Sequence, residues 1–221
     1  AGSRRWPDHN QTNSMHSFAR SLRPLATAGF QQARSMAVGI GAGNPNTPGW
    51  APAVGNRISS ALTLQKARKF DEGVADGFKA STYDEIFKGK KVVLFAVPGA
   101  FTGVCEKAHV PSFGKNAEAF KAKGVNSIIC LAVNDPYSMN AWKNVLGKGG
   151  EGIEFYSDFN GAFTKYMQKE VDLSAAGLGP GKRSMRYAAV IEDGIIKVLN
   201  VEKTTGDLKV SDGETILQTL K

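Results

Sequence analysis

The chain has only two cysteines in 221 residues, Cys105 and Cys130. Two thiols cannot build a disulfide-dense scaffold or a four-thiolate zinc site, and this pair is too widely spaced for a Cys-x-x-Cys redox motif. No run of 18 or more apolar residues occurs, so no membrane-spanning helix is expected. Internal repeats and coiled-coil heptads are also missing, which excludes solenoids and long zippers. The net charge of +8 suggests nucleic acid at first sight, but the charge is unevenly spread. Residues 1–60 hold six arginines, no lysine and one acid, Asp8, and account for +5. The remainder is only mildly basic and has no Lys/Arg stripe interleaved with aromatics, so neither nucleic-acid nor membrane binding is expected.

What is present divides into two parts. Residues 1–60 are dominated by Gly, Pro, Ala, Ser and Asn with no sustained apolar period, which predicts a disordered leader. Within it, residues 15–30 contain arginine and serine and no acid, the composition of an organelle transit peptide; a plain basic tail is the alternative. No continuous apolar core of a secretory signal is found, and Met15 is a candidate natural start. Residues 61–221 are expected to form one folded domain. With 42% apolar and 22% charged residues overall, the chain has the composition of a soluble globular protein.

The domain shows alternating signals. Thr82-Tyr-Asp-Glu85 is a capping box that opens a short helix over 83–87. Residues 91–97 form a continuous apolar run rich in β-branched side chains, hence a buried strand, which Pro98-Gly99 ends. A single helix is predicted over 105–123, with Gly124 as its C-cap. A second buried strand follows over 125–133, then a helix over 136–146 with Pro136 in its first turn. A strand over 154–157 and a helix over 162–169 come next. Strands over 186–191 and 195–201 are joined at Asp193-Gly194, a strong hairpin signal, and a helix over 211–220 closes the chain. This order predicts an α/β fold: a mixed β-sheet, parallel in its first half, with helices on both faces.

The loop Pro98-Gly-Ala-Phe-Thr102-Gly-Val-Cys105 leaves the carboxyl end of a central strand and enters a helix, where ligands bind in open α/β sheets. A cysteine at a helix start meets free backbone N–H groups and the positive helix end, which favour a nucleophilic thiolate. Thr102, three residues earlier, can donate and accept hydrogen bonds near that sulfur. Placement alone leaves two readings open: a reactive thiolate beside a hydroxyl, or a small buried hydrophobe beside a capping threonine.

Pro98-x-x-x-Thr102-x-x-Cys105 resembles the signature of the peroxiredoxins. The longer run from Val97 to Phe113 is similar to the type II (peroxiredoxin-5-like) branch, in its plant-type mitochondrial form. The resemblance continues through Val133-Asn-Asp-Pro136, Trp142, Phe155-Tyr-Ser-Asp158 and the segment Arg186 to Gly194, about residues 62–221 in all. It implies a thioredoxin-like fold and a thiol peroxidase that reduces hydrogen peroxide and alkyl hydroperoxides. Cys105 is the implied peroxidatic residue, which becomes a sulfenic acid. Thr102 would hold the peroxide, Arg186 would stabilise negative charge with its fixed cationic fork, and Pro98 would wall the thiolate from water. The resemblance implies no metal or organic cofactor, and it implies a homodimer. The location implied is the mitochondrial matrix, with a plastid or other organelle as the alternative.

Three points stay open at this level. His109 lies one turn after Cys105, where a Cys–His pair is conceivable, but packing or a structural hydrogen bond is favoured for it. Phe101 and Phe155 are candidates for an apolar collar, or are ordinary core. Cys130 matches the second cysteine of plant-type members, where a resolving role is proposed, yet it lies in an apolar strand. A disulfide needs Cα atoms within about 7 Å, so recycling by glutathione, a glutaredoxin or a thioredoxin is favoured over a Cys105–Cys130 bond. The alternative function, from a different class, is a non-catalytic thioredoxin-fold binding or chaperone module.

Overall fold

The structure, a computed structural model, describes residues 51–179 and 181–221. The transit-peptide-like segment 15–30 lies outside the described residues. Six strands form the main sheet: β1 (Gln65–Lys66), β2 (Lys91–Ala96), β3 (Ser127–Ala132), β4 (Ile153–Ser157), β7 (Tyr187–Glu192) and β8 (Ile195–Val201). Their order is β1-β4-β3-β2-β7-β8. Strands β2, β3 and β4 are parallel, whereas β7 runs antiparallel to β2 and β8 antiparallel to β7. The mixed sheet expected from the element order is therefore present, with its parallel half built from strand–helix–strand crossovers.

Side-chain alternation along these strands explains the two layers. Val93, Phe95, Cys130, Ala132, Phe155 and Val190 point to one face, where they pack with Phe113 of α3 (Val110–Gly114), Phe120 of α4 (Ala117–Ala122), Trp142 of α5 (Pro136–Leu146) and Ile216 of α7 (Gly213–Thr219). Val92, Leu94, Ile129, Leu131, Ala189 and Ile191 point to the other face. There they meet Tyr83, Ile86 and Phe87 of α2 (Tyr83–Phe87) and Phe163 of α6 (Ala162–Tyr166). Strands buried on both faces need continuous apolar runs, which is why 91–97 and 127–132 carry no polar alternation.

Local signals act as expected in several places. Thr82 accepts from the Glu85 N–H, and the Glu85 carboxylate accepts from the Thr82 N–H, closing the capping box of α2. Asp193 and Gly194 both adopt positive φ, 46° and 73°, as a type I′ hairpin turn requires.

Elsewhere the structure differs. The helix expected over 105–123 is three pieces: a π-helical turn at Cys105–His109, then α3, then α4 after a break at Lys115–Asn116. Pro111 accounts for the π-helical turn. It has no N–H to donate, and its ring would crowd the carbonyl of Lys107 in an α-helix. The chain widens just before it, and the Val110 N–H bonds the Cys105 carbonyl five residues back. Three further elements carry little sequence signal: β1, the short helix α1 (Phe70–Ala75), and the small hairpin of β5 (Glu170–Asp172) and β6 (Lys182–Ser184). The packed region also begins ahead of residue 61. Ile58 is buried, and the Gly55 and Ile58 N–H groups donate to Ile196 and Gly194.

Candidate active site

The sheet register brings the site together. The β2 ladder ends with Ala96 opposite Tyr187, so Arg186, one residue before β7, stands beside the exit of β2. That exit carries Pro98, and the loop returns as the π-helical turn that begins at Cys105. The loop is pinned from the next strand, because the Ala100 N–H donates to Asn134 Oδ1 at 3.0 Å. Phe101 at its tip has φ 60°, a left-handed conformation unusual for a bulky side chain, and is half exposed, 6.3 Å from the Trp142 ring. Pro98 is buried behind the loop.

Two groups meet at the sulfur. Thr102 Oγ1 lies 2.9 Å from Cys105 Sγ, and Arg186 Nη2 lies 3.5 Å from it. Thr102 Oγ1 also donates to the Gly99 carbonyl at 2.8 Å. A hydroxyl has one proton, so it cannot serve both contacts at once. With a thiol at Cys105, the S–H donates to Oγ1 and the hydroxyl donates to Gly99. With a thiolate, the hydroxyl proton can turn to the sulfur. Cys105 and Arg186 are each 1% exposed. A buried thiolate is costly unless paired, and here a hydroxyl and a guanidinium face it.

His109 does not pair with Cys105. Its Nδ1 faces Arg186 Nη1 at 3.0 Å and its Nε2 faces the Ser211 carbonyl at 2.9 Å. Because a guanidinium only donates, Nδ1 must be the acceptor and Nε2 must carry the proton. Burial first, and then the Arg186 charge, push its pKa down to about 3. Both ring nitrogens are thus engaged and the ring stays neutral, so the conceivable Cys–His base is replaced by an arginine contact. The i,i+4 spacing marked this residue in the sequence, and the packed, hydrogen-bonded role favoured there over a Cys–His pair is the one it has, with Arg186 and Ser211 as partners. Glu202, whose N–H donates to the Arg186 carbonyl at 3.0 Å, left no signal in the sequence.

Cys130 sits mid-strand in β3, with Phe95 and Phe155 as its ladder neighbours. It is fully buried and free, and burial, followed by the proximity of Cys105, pushes its thiol well above the ordinary range. Phe155 lies in the core, edge-on to Trp142 at 5.7 Å, whereas Phe101 is at the surface, so the two do not form one collar. Among the described residues no group of three or more His, Cys, Asp or Glu is arranged to hold a metal ion. No helix among them is long and apolar enough to cross a membrane.

Known proteins are similar to this chain in sequence and fold. A family model described as Redoxin matches residues 54–217. Mitochondrial Peroxiredoxin-2F of Oryza sativa subsp. japonica is 53% identical over 166 residues, 74% of this chain and 82% of that protein. The Arabidopsis thaliana Peroxiredoxin-2F, also mitochondrial, is 51% identical over 168 residues, 75% of this chain and 82% of that protein. Among solved structures, reduced Prx3 of Vibrio vulnificus in complex with H2O2 is similar at a TM-score of 0.66 and 38% identity, covering 76% of this chain and 99% of that one.

Proposed function

The chain belongs to the Redoxin family as a peroxiredoxin, a thiol-dependent peroxidase, and from that premise we propose a role for each residue of its site. Cys105 is the attacking residue. Its thiolate displaces one oxygen of the hydroperoxide in line, the O–O bond breaks, and the sulfur becomes a sulfenic acid while an alkoxide or hydroxide leaves and is protonated. The single observation that carries this reading is the convergence of Thr102 Oγ1 and Arg186 Nη2 on Cys105 Sγ.

Thr102 orients the peroxide. When its proton is on the Gly99 carbonyl, its lone pairs face the sulfur and accept the O–H of the incoming peroxide. Arg186 faces the charge that spreads from sulfur onto the separating oxygens. Buried Pro98 keeps water from the back of the sulfur. The sulfenic acid then condenses with an external thiol, releasing water, and a second thiol frees Cys105 as a disulfide departs. Glutathione, a glutaredoxin or a thioredoxin serves as that reductant, rather than Cys130, whose buried, protonated sulfur is a poor nucleophile. The chain is mitochondrial, as its relatives above half identity are; its compartment within the organelle is the matrix, and it acts as a homodimer.

Consumption of hydrogen peroxide by Cys105→Ser, with dithiothreitol as reductant, tests the central role. Loss of turnover to the uncatalysed rate supports it, and retained turnover removes it. Sedimentation equilibrium tests the dimer.

A further inference from the structure

We propose that Arg183 binds a carboxylate of the thiol reductant: its guanidinium, fixed near the loop that carries Cys105, receives an acidic thiol of the glutathione class while that thiol's sulfur bonds to Cys105. This rests on the recycling by an external thiol given above.

Arg183 lies on β6, the returning arm of the small hairpin between α6 and β7. Two backbone carbonyls hold its side chain. Nε donates at 2.7 Å to Leu178, between the two strands of that hairpin, and Nη1 donates at 2.8 Å to Val133, one residue past β3. Val133 precedes Asn134, which pins the Cys105 loop through the Ala100 N–H. The guanidinium is thereby brought beside Gly99. A Cβ built on Gly99 would stand 3.8 Å from Arg183 Nη1 and 3.4 Å from Thr102 Cγ2. Thr102 Oγ1 in turn lies 2.9 Å from Cys105 Sγ. The guanidinium and the sulfur are therefore both near Thr102. An extended tripeptide spans about 10 Å, so a carboxylate of glutathione can reach Arg183 while its sulfur is bonded to Cys105.

This guanidinium keeps donors to spare. Among the described residues, Nη2 donates to none and no carboxylate pairs with Arg183. The acids at the neighbouring strand ends are engaged elsewhere. Asp135 accepts from the Tyr137 and Ser138 N–H groups at the start of α5, and Asp158 from the Phe163 and Thr164 N–H groups of α6. Asp172, on the same hairpin, pairs with Lys182. Arg183 is half-buried, and its planar fork suits a carboxylate, to which its hydrogen bonds are charge-assisted. Because two carbonyls already fix the side chain, little further rotamer freedom is lost when the anion docks. The chemistry at the sulfur is unchanged by this contact. The glutathione thiolate forms an S–S bond with the Cys105 sulfenic acid, and hydroxide leaves and is protonated to water. A second thiolate then attacks the glutathione sulfur, which releases glutathione disulfide and the Cys105 thiolate.

The test compares two thiols on the full chain after one equivalent of hydrogen peroxide. The probes are glutathione and its diethyl ester, which has no free carboxylate. The readout is the rate of mixed-disulfide formation at Cys105, by intact mass after rapid quenching. Each rate is divided by the same thiol's rate with a small disulfide, which removes the difference in their own reactivity. The ratio of the two thiols on one variant also cancels any change in folding or in access to the sulfur. The wild type should favour glutathione about tenfold, the equivalent of one hydrogen bond between charged groups at a partly exposed site. Arg183→Gln should bring the ratio to about one, and Arg183→Glu should bring it below one by repelling the carboxylate. A ratio in Arg183→Gln equal to that of the wild type overturns the proposal. A wild-type ratio near one overturns it as well, even if neither variant folds. If neither thiol forms an adduct with the oxidised wild type, recycling by an external thiol itself fails.

Discussion

Thr102→Val is the perturbation whose size can be worked most directly. Valine matches threonine in shape, so the change removes one hydroxyl and little else. That hydroxyl stands 2.9 Å from Cys105 Sγ and 2.8 Å from the Gly99 carbonyl oxygen. A hydrogen bond to a charged partner contributes about 1.5–3 kcal/mol, and loss of one preorganised donor in an active site costs about 10²–10³ in rate. The second-order rate constant for hydrogen peroxide should therefore fall about 100-fold. Gly99 is buried, so its carbonyl also loses its partner, and the variant should be about 1–2 kcal/mol less stable. Stopped-flow fluorescence can follow the reaction, because Trp142 Nε1 donates to Glu106, the residue after Cys105, at 3.2 Å. Urea titration gives the stability. Thr102→Ser, which keeps the hydroxyl, should stay within about tenfold of the wild type. A Thr102→Val rate within threefold of wild type, in a folded protein, would refute the role of the hydroxyl.

Three other outcomes follow from the same geometry. Arg186→Lys keeps a charge but not the fork that reaches His109, Thr205 and Cys105 together, so peroxide oxidation should slow at least about tenfold in the same stopped-flow assay. Cys130→Ala should leave glutathione-supported turnover unchanged and cost about 1–2 kcal/mol in urea melts, because it removes a buried core atom; loss of turnover would assign Cys130 a resolving role. The neutral His109, held near pKa 3 in the fold, titrates near 6.5 once unfolded. Above pH 6.5 neither state binds the proton and stability is insensitive to this group. As pH falls from 6.5 toward 3, only the unfolded state takes it up, so stability drops. The wild type should lose about 2–3 kcal/mol more than His109→Phe between pH 7.5 and 4.5, measured by urea melts at both values.

Local chemistry was legible in the sequence and long-range register was not. The Thr82 capping box, the Asp193-Gly194 turn and the bounds of α5 and β8 all follow from residues within a few positions of one another. Cys105 and Thr102 are three residues apart, so their meeting at one loop could be read from spacing. Arg186 is 81 residues from Cys105, and only the resemblance to a known family linked them; the physical link is the antiparallel register of β2 and β7. Glu202 is invisible for the same reason, since its relation to Arg186 is a backbone hydrogen bond just before β7 and just after β8. The break after Cys105 was present in the sequence as Pro111, but helical periodicity on both sides concealed it. The short strands β5 and β6 carry too few residues to show any alternation.

The most direct test of the account is the intact mass of the protein after one equivalent of hydrogen peroxide, with and without glutathione. Attack by Cys105 and recycling by an external thiol predict one added oxygen without glutathione. With it, they predict a single glutathione adduct that maps to Cys105 and is absent in Cys105→Ser. An unchanged mass after peroxide, or oxygen added to Cys105→Ser as readily as to the wild type, would contradict the claim that Cys105 is the attacking residue.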